Sequence, residues 1–199
     1  MIGPASNPEG GGWPPWATEE VQQVPPDPGW SDRGRQLARE LDALLAPWLL
    51  AGVEHIGSTA VPGMPAKPVL DLMAAVADPT TVVRDGFERL RGAGWVLVPP
   101  ELDRRPWRRF LVAPDAEGRR RVAHLHILRP DEPRWTQQLT FRDLLRANAD
   151  LRRSYAELKA GLATRHPRDR ERYTEAKAEF IRAALFFPRH SGPRHSDEP

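Results

Sequence analysis

The sequence contains no cysteine and very little lysine. Without cysteine, disulfide bonds, thiol catalysis and cysteine-ligated zinc or iron–sulfur sites are excluded. Lysine occurs only at positions 67, 159 and 177, and the rest of the 29 basic residues are arginine. The longest apolar run, residues 43–53, contains Pro47 and is too short to cross a bilayer. No basic region followed by an apolar segment stands near the N-terminus, so we expect a cytoplasmic protein.

The size and the charge of the chain limit its organisation and its partners. It has 199 residues, of which 40% are hydrophobic, as expected for one globular domain with a core of its own. The formal net charge of +2 is too small to indicate a nucleic-acid-binding protein. Nucleic acid and membranes are therefore not the partners we expect.

Hydrophobic periodicity predicts an α+β protein. Helices are predicted at about 31–45 and 79–92, and strands at 53–56, 69–76, 95–98, 108–113 and 121–128. A short edge strand is predicted at 21–24, and helices at 134–147, 150–164 and 168–187. Only one strand–helix–strand unit occurs, which favours a mixed sheet with a C-terminal helical cap. The predicted organisation is a disordered tail at 1–20, a core at 21–132, a helical segment of the same domain at 133–187, and a second tail at 188–199.

The loop at 57–68 is the strongest local signal. Gly57 and Ser58 directly follow a predicted strand, so their backbone N–H groups can face an anion without a bulky side chain between them. Ser58 and Thr59 add hydroxyl groups, and Lys67 supplies an ammonium group that suits phosphate. Asp71 follows on the next strand, where a carboxylate can hold a hard cation such as Mg²⁺. The alternative is an ordinary Pro/Gly connection with a structural aspartate.

The second signal is His124-Leu125-His126. Residues i and i+2 of a strand share a face, so the two imidazoles are predicted to stand side by side. Together with a carboxylate from a neighbouring strand they could form a metal site, bind phosphate, or act as acid and base. The alternative is a pair of structural histidines satisfied by hydrogen bonds.

The C-terminal helices carry polar pairs at i, i+4, a spacing that places both members on one helical face. These pairs account for two of the three lysines, and each could present cationic or phenolic groups to an anion. A solvated basic surface is the alternative. The pairs are Arg142 and Arg146, Tyr155 and Lys159, and Tyr173 and Lys177.

Several motifs in fixed order resemble those of the GrpB family, also called UPF0157. The string from Glu54 to Met73, EHIGSTAVPGMPAKPVLDLM, resembles the family signature. Further resemblances follow at residues 27–30 (DPGW), 109–110 (RF), 124–126 (HLH), 141–146 (FRDLLR), 155–159 (YAELK) and 173–177 (YTEAK). The resemblance covers about residues 21–187.

That family resembles the nucleotidyltransferase superfamily, which implies a nucleotidyltransferase-like mixed β-sheet with metal-binding carboxylates. Gly57, Ser58 and Asp71 match the superfamily pattern, but Met73 stands where a second acid is expected. The strand that would carry a third acid offers His124 and His126 instead. Two-metal transfer needs several carboxylates, so a standard two-Mg²⁺ centre is not expected. One divalent ion, Mg²⁺ or Mn²⁺ with Zn²⁺ as a further option, is predicted at Asp71, His124 and His126.

Two functions follow from these expectations. In the first, the chain binds a nucleotide or another phosphorylated small molecule and catalyses metal-dependent nucleotidyl or phosphoryl transfer at Asp71, His124 and His126. The predicted ligand-binding set is Gly57, Ser58, Thr59, Lys67, Arg142, Arg146, Tyr155, Lys159, Tyr173 and Lys177. In the second, a non-catalytic module senses such a ligand or assists an enzyme of coenzyme A metabolism, because family members also occur fused to dephospho-CoA kinase.

Overall fold

The computed structural model describes residues 14–19, 22–165 and 170–186, apart from the side chains of 163 and 170–175. Its centre is a five-stranded mixed sheet in the order β1-β2-β5-β4-β3. The strands are β1 (Leu49–Ile56), β2 (Leu70–Val76), β3 (Val96–Val98), β4 (Arg108–Pro114) and β5 (Arg121–Leu128). β2 and β5 are parallel, and the other neighbouring pairs are antiparallel.

Seven α-helices and one 3₁₀ turn accompany the sheet in the described ranges. They are α1 (Pro15–Thr18), α2 (Trp30–Leu45), the turn η1 (Ser58–Ala60), α3 (Pro79–Gly92), α4 (Pro100–Asp103), α5 (Pro133–Ala147), α6 (Ala149–Arg165) and α7 (Arg170–Phe186). None of the described helices is long and apolar enough to span a bilayer. The α+β class with a helical C-terminus is therefore confirmed.

The two faces of β2 and β5 differ in character. Leu72 and Val76 of β2, with Leu125 and Ile127 of β5, point into the main core beneath α2 and α3. Because side chains alternate along a strand, Asp71 and Met73 project to the opposite face together with His124 and His126. Met73 lies there in a small buried cluster with Ile56 and Leu128. The polar residues of interest therefore occupy the face of the sheet opposite the main core.

Most predicted elements agree with the structure to within a few residues, and the differences have local causes. β1 begins at Leu49 instead of residue 53, because residues 49–51 pair with β2 through two register shifts. Of the strand predicted at 21–24, the structure describes residues 22–24, and over these the pairing is one bridge, Val24 with Ala66, since Pro25 and Pro26 follow immediately. The turn η1 and the short helix α4 were not predicted.

The predicted N-terminal tail is ordered over residues 14–19, contrary to expectation. Arg121 donates to the carbonyl oxygens of Trp16 (2.9 Å) and Ala17 (3.2 Å), and its guanidinium lies 5.4 Å from the centre of the Trp16 ring. Glu19 accepts hydrogen bonds from the side chain of Lys67 and from the backbone N–H of Arg121. Partners more than 45 residues away therefore fix this segment. Residues 1–13 and 187–199 lie outside the described part of the chain.

Candidate functional site

The parallel pairing of β2 with β5 brings the predicted acid and histidines together. Asp71 lies opposite His124 in the register, and Met73 lies opposite His126. Asp71 Oδ1 is 2.8 Å from His124 Nδ1 and 3.8 Å from His126 Nε2. One ligand atom from each of the three residues lies within 4.8 Å of the others. The structure therefore contains a possible Asp/His site, as the spacing of the histidines predicts.

Asp71 is ionised despite its limited exposure. Burial alone would raise the pKa of its carboxyl group, but the hydrogen bond with His124 and the approach of His126 outweigh burial and hold the pKa well below its usual range. Burial also lowers the pKa of His126 to about 4, so this ring is neutral near pH 7. Asp71 and His126 together thus contribute one negative charge to the site.

A second layer of side chains supports His126. Arg108 donates to His126 Nδ1, and Asp103 accepts from both Nε (2.9 Å) and Nη2 (2.6 Å) of the same guanidinium. The guanidinium carbon lies 4.1 Å from the centre of the Phe110 ring, and that ring lies 5.1 Å from each histidine ring. Sequence reasoning did not place Arg108, Asp103 or Phe110 in the site. The i, i+2 spacing of Arg108 and Phe110 on β4 was the available signal.

The loop after β1 lies directly against the carboxylate. Gly57 has φ +71°, and a Cβ atom at this position would stand 2.5 Å from Asp71 Oδ2. The hydroxyl of Ser58 accepts a hydrogen bond from Lys159 (2.9 Å). Thr59 is buried and donates to the carbonyl oxygen of Val69 (3.1 Å). Gly57 and Ser58 therefore face the site, whereas Thr59 fastens the loop to the protein.

Two lysines from the C-terminal helices approach this loop. Lys159 is only 3% exposed, and its ammonium group also donates to the carbonyl oxygen of Pro65 (2.6 Å). Burial and, after it, the charge of Lys177 lower the pKa of Lys159 to about 7. Burial likewise lowers the pKa of Lys177, while the carboxylate of Asp71 acts in the opposite direction. Lys159 therefore contacts the Gly57–Ser58 turn directly, and Lys177 lies near enough to Lys159 and Asp71 for charge to act between them.

The two predicted arginines of α5 make mainly structural contacts. Arg142 donates to Glu54 (2.6 Å) and to the carbonyl oxygen of His55 (3.0 Å), and it also pairs with Asp143. Arg146 donates to the carbonyl oxygen of Ala60 (3.0 Å). These bonds tie α5 to the end of β1 and to η1.

Of the two predicted tyrosines, the structure describes the side chain of Tyr155 alone, and it lies in the core. Tyr155 is buried between Phe141 and Phe180, with ring centres 5.0 and 5.3 Å away. It is therefore part of the core between α5, α6 and α7. Tyr173 belongs to α7, and its side chain lies outside the described part.

Lys67 lies in a different environment from the one expected. Its ammonium group pairs with Glu19, and both side chains are largely buried. It lines a cavity of about 580 Å³ together with Arg119 and Arg120 of the β4–β5 turn and Arg121 of β5. Asp71, His124 and His126 are not among the lining residues of this cavity. Lys67 therefore joins the N-terminal segment to the sheet.

The mixed sheet, with an aspartate on β2 beside a Gly–Ser turn, has a nucleotidyltransferase-like fold. A cytoplasmic RNA terminal U-transferase superposes with a TM-score of 0.56 at 13% identity, over 82% of this chain and 50% of that one, which shows likeness of fold alone. GrpB from Enterococcus faecalis superposes with a TM-score of 0.65 at 28% identity, over 82% of this chain and 99% of that one.

The chain belongs to the GrpB family, since the family model described as GrpB protein matches residues 20–186. A UPF0157 protein of Pseudomonas aeruginosa is 32% identical over 190 residues, which cover 89% of this chain and 71% of that protein. A dephospho-CoA kinase of Mycolicibacterium paratuberculosis is 28% identical over 189 residues, which cover 84% of this chain and 46% of the kinase. The predicted resemblance to the GrpB family is therefore confirmed.

Proposed function

We propose that the chain binds a nucleotide or another phosphorylated small molecule between the Gly57–Ser58 turn and helices α6 and α7. The observation that carries this proposal is the environment of Lys159. Its ammonium group is almost fully buried, yet the two acceptors of its hydrogen bonds, Ser58 Oγ and the carbonyl oxygen of Pro65, are neutral. A phosphate group beside Ser58 would supply the negative charge that these neutral acceptors do not.

The charge near the turn supports an anionic ligand. The charge of Lys177 lowers the pKa of Lys159, and the carboxylate of Asp71 acts to raise the pKa of Lys177. Gly57 adds no side chain between the turn and the carboxylate. The U-transferase fold offers a precedent for a nucleotide ligand on this architecture. The dephospho-CoA kinase match makes a coenzyme A precursor a natural member of the ligand panel.

The residues present suit one hard divalent ion that arrives with the ligand, and no more. Asp71 is the one carboxylate of the described site, and Met73, buried in an apolar cluster, stands where a second acid would be needed. Mg²⁺ is often held by one carboxylate together with phosphate oxygens of a substrate. Asp71 would hold such an ion, which would neutralise charge on the phosphates. The chain's own lysines would orient the same phosphates.

Binding without turnover is the second candidate, and Met73 is the observation that favours it. A two-metal centre needs more carboxylate ligands than this site offers. The two candidates differ in one measurement: release of pyrophosphate or transfer of a nucleotidyl group from nucleoside triphosphates in Mg²⁺ or Mn²⁺. Turnover that is lost in Asp71→Asn would support an enzyme, whereas tight binding without any product would support a sensing or accessory module.

Isothermal titration with ATP, UTP and dephospho-CoA, each with and without Mg²⁺, tests the binding proposal. Lys177→Met should weaken binding about tenfold or more, the scale of one charge-assisted contact. Arg153→Met is the matched control, because Arg153 is an exposed cation on α6 whose side chain pairs with Asp150. Absence of binding by the native chain, or equal losses in both variants, would refute the proposal.

A further inference from the structure

We infer that Arg108, anchored by Asp103, holds His126 in the form with its proton on Nε2, and thereby makes this ring a hydrogen-bond donor in the site rather than a ligand for a transition-metal ion. Arg108 is a positioning residue in this view, since it acts through His126. This hydrogen-bond network belongs to the chain itself, and only the contact of His126 with a ligand rests on the proposed function.

The chemistry of the guanidinium group fixes the direction of the hydrogen bond between Arg108 and His126. A guanidinium group has only N–H donors, so His126 Nδ1 must accept. A doubly protonated imidazole would set one N–H against another, and the form with its proton on Nδ1 would do the same. The neutral form with its proton on Nε2 is the one that fits this contact. Nε2 is the atom that points toward Asp71.

Arg108 is held in place from three sides. Its side chain is 7% exposed, and two of its nitrogens donate to the carboxylate of Asp103. Its guanidinium carbon lies 4.1 Å from the centre of the Phe110 ring and 5.2 Å from that of Trp107. Turning Arg108 away from His126 would break these contacts. The proton position on His126 is therefore built into the fold.

The position of the proton on His126 determines whether this ring can bind a metal ion. A histidine that binds a metal through Nε2 must offer a lone pair there and donates its Nδ1–H to an acceptor. Arg108 places a hydrogen-bond donor, not an acceptor, at Nδ1 of His126. Although Asp71, His124 and His126 are close enough to surround an ion, His126 is unsuited to ligate one while Arg108 is in place. Two remaining ligands are too few for a Zn²⁺ site, which takes three or four.

The Nε2–H group of His126 can donate a hydrogen bond to a ligand. The distance of 3.8 Å to Asp71 Oδ1 is longer than a hydrogen bond, so this donor is not fully engaged by the carboxylate. An oxygen atom of a phosphate or hydroxyl group near Asp71 could accept from it. His126 would then recognise the ligand by a neutral hydrogen bond, while the lysines recognise its charge.

The nitrogen NMR shifts of His126 test the proton position directly. In the native chain without metal or phosphate, Nε2 should give the shift of a protonated nitrogen and Nδ1 that of an unprotonated one. In Arg108→Gln, the amide oxygen can accept from Nδ1–H, so the preference should be lost. In Arg108→Lys a donor remains, and the native pattern should persist. A native spectrum with the proton on Nδ1 would overturn the inference.

Metal binding gives an independent readout. Titration with Zn²⁺ or Co²⁺ alone should show a gain of tenfold or more in affinity for Arg108→Gln, and adding His126→Ala should abolish the gain. Arg109→Gln is the matched control, because Arg109 is the next residue on β4 and its side chain donates to Thr80 instead of His126. If removing Arg108 unfolds the chain, Asp103→Asn with Arg108→Gln removes both charges of the pair and serves as the second variant.

The outcomes separate this inference from the proposed function. Native Zn²⁺ affinity that depends on His126 and is unchanged by Arg108→Gln would overturn the inference and leave nucleotide binding to be judged separately. Conversely, neither the NMR pattern nor the metal titration uses a phosphorylated ligand, so both can succeed when every nucleotide fails to bind.

Discussion

Replacing Gly57 by alanine should destabilise the protein strongly, and the structure shows why. The backbone at Gly57 has φ +71° and ψ −170°, a region that is essentially restricted to glycine and costs other residues about 1–3 kcal/mol. The added Cβ would also lie 2.5 Å from Asp71 Oδ2 and 3.1 Å from Asp71 Cβ. Asp71 cannot retreat without lengthening its 2.8 Å hydrogen bond to His124.

The two contributions give the expected magnitude. Loss of a hydrogen bond to a charged group adds about 1.5–3 kcal/mol to the backbone cost. We therefore expect Gly57→Ala to lower the free energy of unfolding by about 2.5–6 kcal/mol. A decrease of this size is a large fraction of the stability of an ordinary domain.

Gly63 provides the matched control. It also has a positive φ, +74°, but an added Cβ would meet nothing within 4 Å. Gly63→Ala should therefore show only the backbone cost, about 1–2 kcal/mol. Urea unfolding with equal slopes measures both losses. Equal destabilisation of the two variants would show that the contact between the turn and Asp71 does not constrain the site, and the reasoning would be wrong.

Three further predictions concern the surroundings of the site. Burial, and after it the charge of Lys177, lower the pKa of Lys159 from 10.5 to about 7, so the unfolded chain binds more protons than the folded chain between these pH values. The free energy of unfolding should therefore rise with pH from about 7 to 10.5, and Lys159→Met should flatten that rise, as measured by urea midpoints. Gly34→Ala would put a Cβ atom 2.1 Å from His55 Nδ1 and should lower the free energy of unfolding by about 1–3 kcal/mol. Gly161→Ala, whose Cβ would meet only the flexible side chain of Arg165, should be neutral or stabilising, and similar shifts in melting temperature for the two variants would contradict this. Glu19→Gln should cost about 1–3 kcal/mol without changing ATP affinity, and tighter ATP binding on release of Lys67 would return that lysine to the ligand site.

The sequence predicts this fold well where local periodicity decides the structure. The apolar run of β2 and the alternation in β5 are visible without coordinates of any kind. The same alternation places His124 and His126 on one face, and it does so correctly. Parallel pairing of β2 with β5 then sets Asp71 beside them. This part of the candidate site follows from the alternation of side chains along a strand and from the pairing of β2 with β5.

The charged contacts could not be predicted in the same way. Lys67 pairs with Glu19, 48 residues away in the sequence, and Arg142 pairs with Glu54, 88 residues away. Such pairs depend on how distant segments pack against each other, and no local sequence pattern predicts this packing. The i, i+4 spacing correctly put Lys159 on the face of Tyr155, yet it could not tell that the tyrosine would enter the core. Spacing therefore predicts which residues are neighbours, while tertiary packing decides which of them remain open to a ligand.

The distribution of charge, more than the number of possible metal ligands, favours a phosphorylated ligand. Asp103 neutralises Arg108, and Glu54 with Asp143 neutralises Arg142. Lys159, in contrast, is buried against two neutral oxygens and retains its proton only weakly near pH 7. An anion bound beside Ser58 would raise the pKa of this lysine again, so binding near pH 7 to 8 should be accompanied by proton uptake. Binding of a metal ion near Lys159 would lower that pKa further, so it should be accompanied by proton release instead of proton uptake.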